Sequence, residues 1–398
     1  MLPYKSDAGS NPRRATAILM FMVFLDLLGF GVVVPLLPEY ATYMGASAGL
    51  VGVLVASYSF MQFIFGPLLG KLSDALGRRP IILVTLGLNA LGFLVLGIAS
   101  TLALVFVGRL ISGAATANLS VIQAALSDLS KPEERAKVFG FIGAAFGIGF
   151  VLGPPIGALI NQLFGMTAVG LSVSGLCVLN LAFATLFLPE TKIERLDRNV
   201  KGKGRPLFMA GSLRRLYAIM FLFTAAYSVM PVVGVLIFAQ RFSLSATEIG
   251  YVFALIGIIT AVGQALIGPL TDRFGEKPVL ATGLLAIGTG IGALPYIPAP
   301  WFIGIGLISL AVYALGHAFA HPNLTALAAA EVGPSAQGAV LGQLQASGSL
   351  ALIIGPLLSG YLYDVDQRIP FAVTLLAIAG AFALAVSHPR SRAQTVQQ

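Results

Sequence analysis

Apolar runs of membrane-spanning length, each closed by a charged or Gly/Pro-rich break, repeat along this chain. They fall at 15–38, 46–69, 80–99, 102–126, 136–160, 166–188, 214–240, 246–269, 278–297, 301–325, 336–362 and 370–387. A bilayer core takes about 20 apolar residues of helix to cross. The pattern therefore predicts an all-α membrane protein of twelve transmembrane helices. The longest polar stretch, Pro189 to Arg215, divides them six and six. We expect a disordered cytoplasmic segment over 1–14, a six-helix bundle over 15–188, a cytoplasmic linker over 189–213, a second bundle over 214–388 and a tail over 389–398. The first run is too long for a signal-peptide core and no small-residue cleavage pattern follows it, so it reads as a retained helix.

Composition agrees. Hydrophobic residues make up 57% of the chain and charged residues only 10%, with a mean hydropathy of +0.91. Soluble domains average about 45–50% apolar and about 25% charged. The single cysteine, Cys177, excludes an intramolecular disulfide. The net charge of +8 does not call for nucleic acid, because its placement has another cause. With the N-terminus inside, every Lys and Arg except Arg109, Arg241 and Arg368 falls on the cytoplasmic side. Such a skew sets topology. It puts both termini in the cytoplasm.

The two halves repeat. Gly70, Leu72, Ser73, Asp74, Gly77, Arg79 and Pro80 align at one offset with Gly268, Leu270, Thr271, Asp272, Gly275, Lys277 and Pro278. Val138, Gly140, Gly153 and Pro154 align likewise with Val340, Gly342, Gly355 and Pro356. Parallel repeats about an axis along the membrane normal are a transporter architecture. Gly70 and Gly77 are read as turn glycines, because glycine alone adopts positive φ without penalty.

These stretches resemble the major facilitator superfamily, in particular its twelve-helix drug:proton antiporters. "GKLSDALGRRP", Gly70 to Pro80, is similar to the signature loop between helices 2 and 3. "GIGFVLGPPIGA" in helix 5 resembles the antiporter motif through Gly149, Gly153, Pro154 and Gly157, with Ala158 where the motif ends in Gly. "LDLLGFGVVVPLLP" and "GRLISGAATA" resemble the motifs of helices 1 and 4, with Ser112 where many members carry Gln. Tetracycline-type pumps look nearest. They typically carry further ionisable residues in helices 8 and 9, whereas no charge lies within 249–269 or 279–297 here. We therefore expect multidrug export in preference to tetracycline export.

The resemblance implies that Asp74 caps the cytoplasmic start of helix 11. It also implies that Arg78 pairs with Asp128, and that these residues with Gly70, Gly77 and Arg79 latch the inner side closed. Within the spans, Asp26 is the only deep acid and Arg109 the only deep base. Such groups face a cavity or a partner. We expect Asp26 to be a proton site and Arg109 to tune it or to compete with substrate. His317 and His321 share a helix face at i, i+4. No acid or cysteine nearby completes a metal set, so an auxiliary proton role for His317 is the expectation. Tyr58, Gln62, Asn118, Tyr227, Gln264, His317 and Gln343 are candidates for the substrate cavity, which belongs near mid-membrane. Glu39 and Glu248 lie near outer helix ends and read as solvated.

No nucleophile–base pair, phosphate loop or metal cluster stands out, so neither an enzyme nor a cofactor or ATP drive is expected. The expected protein is a monomer of the inner membrane that exchanges protons for small, largely apolar molecules by alternating access. Uptake or facilitated diffusion of a metabolite or sugar is the alternative within this fold. A non-transporting receptor or lipid-handling protein is the alternative outside transport.

Overall fold

A computed structural model of the chain describes residues 12–130, 135–191, 211–332 and 334–388. Residues 1–11 of the expected N-terminal segment, 192–210 of the linker and the tail from 389 lie outside the described residues. Helices dominate, with no strand among the described residues. The first crossing is α1 (Pro12–Val33) with the short α2 (Leu37–Tyr43). Next come α3 (Ala48–Leu76), α4 (Arg78–Gly97), and α5 (Leu102–Thr116) with α6 (Leu119–Leu129). Then follows the long α7 (Arg135–Phe187). The second half holds α8 (Gly211–Tyr227), α9 (Val235–Gln240), α10 (Ala246–Phe274), α11 (Glu276–Ala293), α12 (Leu307–Ala330), α13 (Pro334–Val365) and α14 (Ile369–Val386).

Eleven stretches among the described residues are long and apolar enough to cross a membrane. One of them, Gly147–Phe187, has 41 residues. At 1.5 Å per residue it would measure about 60 Å, twice the hydrocarbon core. Gly165, at φ 79° and ψ 173°, breaks α7 into two legs. The legs are the fifth and sixth crossings, and the fold has twelve helices in two pseudo-symmetric bundles.

Other crossings are interrupted where continuous helices were expected. Between α8 and α9, Met230–Gly234 forms a wider π-type turn. Pro231 lies in it, and its nitrogen has no hydrogen to give the Tyr227 carbonyl one turn back. The Tyr313 hydroxyl donates to that carbonyl instead, at 3.3 Å. Residues 117–118 separate α5 from α6, where the Ala117 carbonyl accepts from the Ser120 hydroxyl at 2.8 Å.

The chain forms two compact units, one of residues 1–40 and 57–202, the other of 41–56 and 203–398. In the first unit, α1 packs chiefly on α7, and α4 packs on α5 and α7. In the second, the counterparts pair the same way: α8 on α13, α11 on α12 and α14. Repetition in the sequence thus appears as repetition of helix partners. The apolar centre of the first unit joins Leu19, Met22 and Val23 of α1 to Ile82 and Leu86 of α4 and Val121 and Ile122 of α6. The outside is equally apolar: Leu186 is 75% exposed and Leu376 73%. Large apolar side chains turned outward in this way match a lipid surround.

Residues 41–56 join the second unit through α13. The Asp364 carboxylate accepts from the Ala48 and Gly49 N–H groups at 2.9 and 2.8 Å, capping the start of α3. The negative group meets the positive end of the helix. Just beyond, a Cβ on Gly52 would strike the Pro356 carbonyl oxygen.

Lipid offers apolar helices no hydrophobic reason to associate, so small residues that admit close backbone approach carry the packing. Along α1 and α7 the approach is glycine on glycine. A Cβ on Gly149 would lie 2.9 Å from the Leu27 carbonyl, and one on Gly153 2.7 Å from the Val32 nitrogen. A Cβ on Gly157 would strike the Val32 carbonyl oxygen. Gly147, two residues from Gly149 and so on the opposite face, would meet nothing within 4 Å. Gly153→Ala should therefore destabilise the detergent-purified protein by about 1–3 kcal/mol, the usual cost of overpacking. Gly147→Ala should leave stability unchanged. Thermal melting followed by size-exclusion chromatography reads both, and equal melts would contradict the close approach.

Candidate functional site

The packing of α1 against α7 fixes where Asp26 sits. Asn180, on the second leg of α7, reaches α1 with its amide. Its Nδ2 donates to the Met22 carbonyl at 3.1 Å and to Asp26 Oδ1 at 3.2 Å. Asn118, at the break between α5 and α6, is a second amide beside the same carboxyl group. Among the described residues no cation lies within 4 Å of Asp26; the ion pairs there are Arg78 with Asp74 and Asp128, and His388 with Glu331. The acid is thus held by neutral amides, which can donate through N–H or accept through C=O. Asn180 Oδ1 is buried and has no partner. It is an acceptor within reach of the group that would gain a proton.

Arg109 of α5 is 2% exposed. Its guanidinium carbon stands 4.2 Å over the centre of the Tyr58 ring, a cation–π contact. Its Nε and Nη1 are buried and make no hydrogen bond. Among the described residues no ion pair joins α1 to α5, and the cation keeps unspent donors. The Tyr58 ring continues to Phe30 at 5.3 Å, and Phe30 to Phe150 at 6.0 Å. This row of rings runs from Arg109 across α3 and α1 to α7.

Tyr58 and Asn118 are almost fully covered, at 5% and 3% exposed. They form the wall behind Asp26 and Arg109. Gln62 is half-buried and its Nε2 donates to Thr116 Oγ1 at 3.4 Å. The other cavity candidates belong to the second unit. Gln343 Oε1 accepts from the Tyr217 hydroxyl at 2.8 Å, while Gln264 is exposed. Tyr227 and His317 form the centre of an aromatic stack. The His317 ring lies 4.3 Å from Tyr227 and 5.4 Å from Phe223, with His321 at 6.0 Å. Tyr313 lies parallel to Tyr227 at 6.1 Å. His317 Nδ1 is buried without a partner. Phe223 and Tyr313 were not singled out from the sequence. Their spacing of four residues from Tyr227 and His317 carries that signal.

The charged loop differs from its reading. α3 continues to Leu76, so Gly70 and Asp74 are helical, and a Cβ on Gly70 would meet nothing within 4 Å. Only Gly77 takes the left-handed region, at φ 104°; its counterpart Gly275 does the same at φ 82°. The polar residues from Lys71 onward keep their helix because they still complete the i→i−4 ladder. Arg78 then folds back: its Nη2 lies 2.8 Å from Asp74 Oδ1 and 3.3 Å from Asp128 Oδ2, and Nη1 bonds the Ser73 hydroxyl. The Glu190 carboxylate caps α4, accepting from the Arg78 and Arg79 N–H groups at 2.9 and 3.2 Å. The Arg79 guanidinium bonds the Thr185 carbonyl at 2.8 Å.

Of the outer acids, Glu248 completes a capping box with Ser245, whose hydroxyl and N–H both donate to its carboxylate at 2.8 Å. The spacing Ser-x-x-Glu is the signature of that cap. Glu39 departs from its reading as solvated: its Oε2 is buried and has no partner.

A family model described as the Major Facilitator Superfamily matches twice, over residues 19–226 and 215–398. The chain belongs to the major facilitator superfamily. Each half of this superfamily member is matched separately, in keeping with its repeated helix partners. Tetracycline resistance protein, class C, from Escherichia coli is 32% identical over 368 residues, 88% of this chain and 90% of that protein. Multidrug resistance protein 2 of Bacillus subtilis (strain 168) is 26% identical over 369 residues, covering 89% of this chain and 90% of that one. Among solved structures, the human organic anion transporter MFSD10 matches at a TM-score of 0.70 and 25% identity, covering 95% of this chain and 100% of that chain.

The two loop copies of this transporter are not equal. Asp74 is fixed by Arg78, whereas Glu276 holds the matching place beside Asp272. Replacing Asp74 by Asn should reduce transport several-fold more than replacing Asp272, and equal losses in vesicle transport would contradict this asymmetry. Gly77→Ala should destabilise the fold by about 1–2 kcal/mol through its positive φ, while Gly70→Ala is neutral. Thermal melting of the two variants separates them.

Proposed function

We propose that this transporter exports small, largely apolar compounds in exchange for protons, by alternating access, with Asp26 as the proton site. The observation that carries this reading is the setting of Asp26: an acid at mid-span, bonded by the Asn180 amide, with no cation within 4 Å among the described residues. An ionisable group at such depth marks a proton or substrate path. An amide pair serves both of its charge states. The carboxylate accepts from Asn180 Nδ2, and the protonated acid donates to Asn180 Oδ1. Arg109 is the available counter-charge: its unspent Nε and Nη1 attract an ionised carboxylate, whether that of Asp26 or one on a substrate.

The glycine face of Gly149, Gly153 and Gly157, with Pro154 among them, supports export. It lets α7 and α1 slide or roll at backbone distance while Asp26 passes from one exposure to the other. In the second unit the aromatic stack around His317 offers an apolar surface of its own. His317 is an auxiliary proton acceptor there, through Nδ1. Both termini are cytoplasmic and the protein acts as a monomer in the inner membrane, without chemical change to its cargo. Tetracyclines belong on the cargo panel because the relatives above include a tetracycline resistance protein. The lack of charge across α10 and α11 within the membrane favours a broader, apolar range.

The test is efflux from everted vesicles or proteoliposomes under an imposed pH gradient, with dyes, antibiotics and sugars as cargo. Wild type should move apolar dyes or antibiotics and collapse the gradient as it does so. Asp26→Asn should reduce gradient-driven transport by at least about tenfold, equivalent to some 1.4 kcal/mol, while inserting and melting like wild type. Unchanged efflux by that variant would remove Asp26 as the proton site. Sugar uptake without proton movement would overturn export itself.

A further inference from the structure

Two arginines escape the one-sided distribution of charge at helix ends: Arg241 after α9 and Arg368 before α14. Far apart in sequence, they line a single cavity of about 330 Å³ in the second unit, together with Ile237, Pro295, Asp366 and Gln367. The turn between α11 and α12 orients both. Arg241 Nε and Nη2 donate to the Ile297 carbonyl at 3.4 and 3.3 Å, long bonds that leave the guanidinium loosely held. The Arg368 guanidinium stands 5.8 Å from the centre of the neighbouring Tyr296 ring. Among the described residues no carboxylate lies within 4 Å of either guanidinium. Asp366 spends Oδ1 on the Arg368 N–H at 2.7 Å, and its other oxygen takes no partner among the described residues.

We propose that this cavity binds a phosphoethanolamine-type group, a phosphodiester beside an ammonium. Guanidinium groups match phosphate oxygens in geometry and charge. Two of them without a carboxylate partner call for an anion. The free Asp366 oxygen on the same rim then selects an anion that carries its own cation. The apolar floor of Ile237 and Pro295 suits the methylenes between the two charges. Tyr296 and Trp301, 63% and 60% exposed at this end of the unit, are residues that favour the headgroup layer. The group is either the headgroup of a membrane lipid or a water-soluble phosphodiester of the same chemistry. The side of the membrane it faces rests on the orientation proposed above; the binding chemistry does not.

The test uses the purified full-length protein, with native mass spectrometry and thermal melting as readouts. The probes are phosphatidylethanolamine, phosphatidylglycerol of the same acyl chains, and soluble glycerophosphoethanolamine. Wild type should retain phosphatidylethanolamine over phosphatidylglycerol and melt higher with it. Arg241→Gln with Arg368→Gln should lower the adduct by about tenfold, as expected for losing charge-assisted bonds. The single variant Arg368→Gln, at an exposed position, should lower it in part. Asp366→Asn should abolish the preference between the two lipids while retaining phosphatidylglycerol. Displacement of the lipid by glycerophosphoethanolamine would assign the site to a soluble ligand, and failure to displace it would assign the lipid. Equal adducts in wild type and the arginine variants would overturn the site. An unchanged preference in Asp366→Asn would overturn the zwitterionic ligand. Labelling of Gln367→Cys by an impermeant maleimide on intact cells tests the orientation separately, so the two readings fail independently.

Discussion

The fold depends on how closely two backbones can approach. In a bilayer an apolar side chain gains little by leaving lipid for protein, so packing at short range must supply what the hydrophobic effect supplies in water. Gly31 of α1 and Gly149, Gly153 and Gly157 of α7 bring main chains into direct contact. Side chains of any size would force them apart. Asn180, on the second leg of α7 beyond the Gly165 break, reaches Met22 and Asp26 from the next crossing. The α1 helix that carries Asp26 is thus held on one side by backbone contact with glycines and on another by an amide.

Buried polar groups elsewhere follow the same economy of partners. The Asn89 amide turns to Cys177 Sγ at 3.6 Å, and the Ser174 hydroxyl to the Ala90 carbonyl at 2.8 Å. Each satisfies a group that lipid could not. Against that background stand buried atoms without a partner, among them Asn89 Oδ1, Nε and Nη1 of Arg109, Asn180 Oδ1 and His317 Nδ1. Asn180 Oδ1 belongs to the amide that holds the one deep acid, and the Arg109 guanidinium stands over the Tyr58 ring. Unmade bonds are expensive in a static structure, and they are tolerable in a protein that makes them in another state of its cycle.

Much of this was legible in the chain, for reasons that can be named. The spans followed from hydropathy, because a bilayer imposes a length on every helix. The two bundles followed from the aligned loop copies and from the polar stretch between them. Asp26 and Arg109 stood out because charge is rare at that depth. The division of labour between Gly70 and Gly77 was not legible: glycine permits positive φ without requiring it, and the helical ladder runs on through Lys71 and Asp74 to Leu76. The cap that Glu190 gives α4 joins residues far apart in sequence, which no local pattern encodes. Pro231 did carry the signal for the π-type turn in the seventh crossing. The break at Ala117 and Asn118 has no proline to announce it. Asn180 was visible as a lone amide in an apolar run, yet only packing assigns its partner.

The halves share their helix partners but have diverged in what they place at equivalent depth. In the first unit the polar centre is an acid, amides and a guanidinium over a ring. In the second it is a stack of rings with imidazole among them, beside the Tyr217–Gln343 pair. The loop copies diverge in parallel. Gly275 keeps the positive φ of Gly77, since both chains must reverse between two helices. Lys277, aligned with Arg79, keeps that residue's bond to a distant carbonyl, of His388 where Arg79 takes Thr185, while Glu276 stands in place of the Arg78 that binds Asp74. The backbone geometry of the turn is therefore the inherited constraint, and the charges on it were free to change. Duplication kept what the membrane demands of a helix pair and released what a proton or a cargo demands of a site.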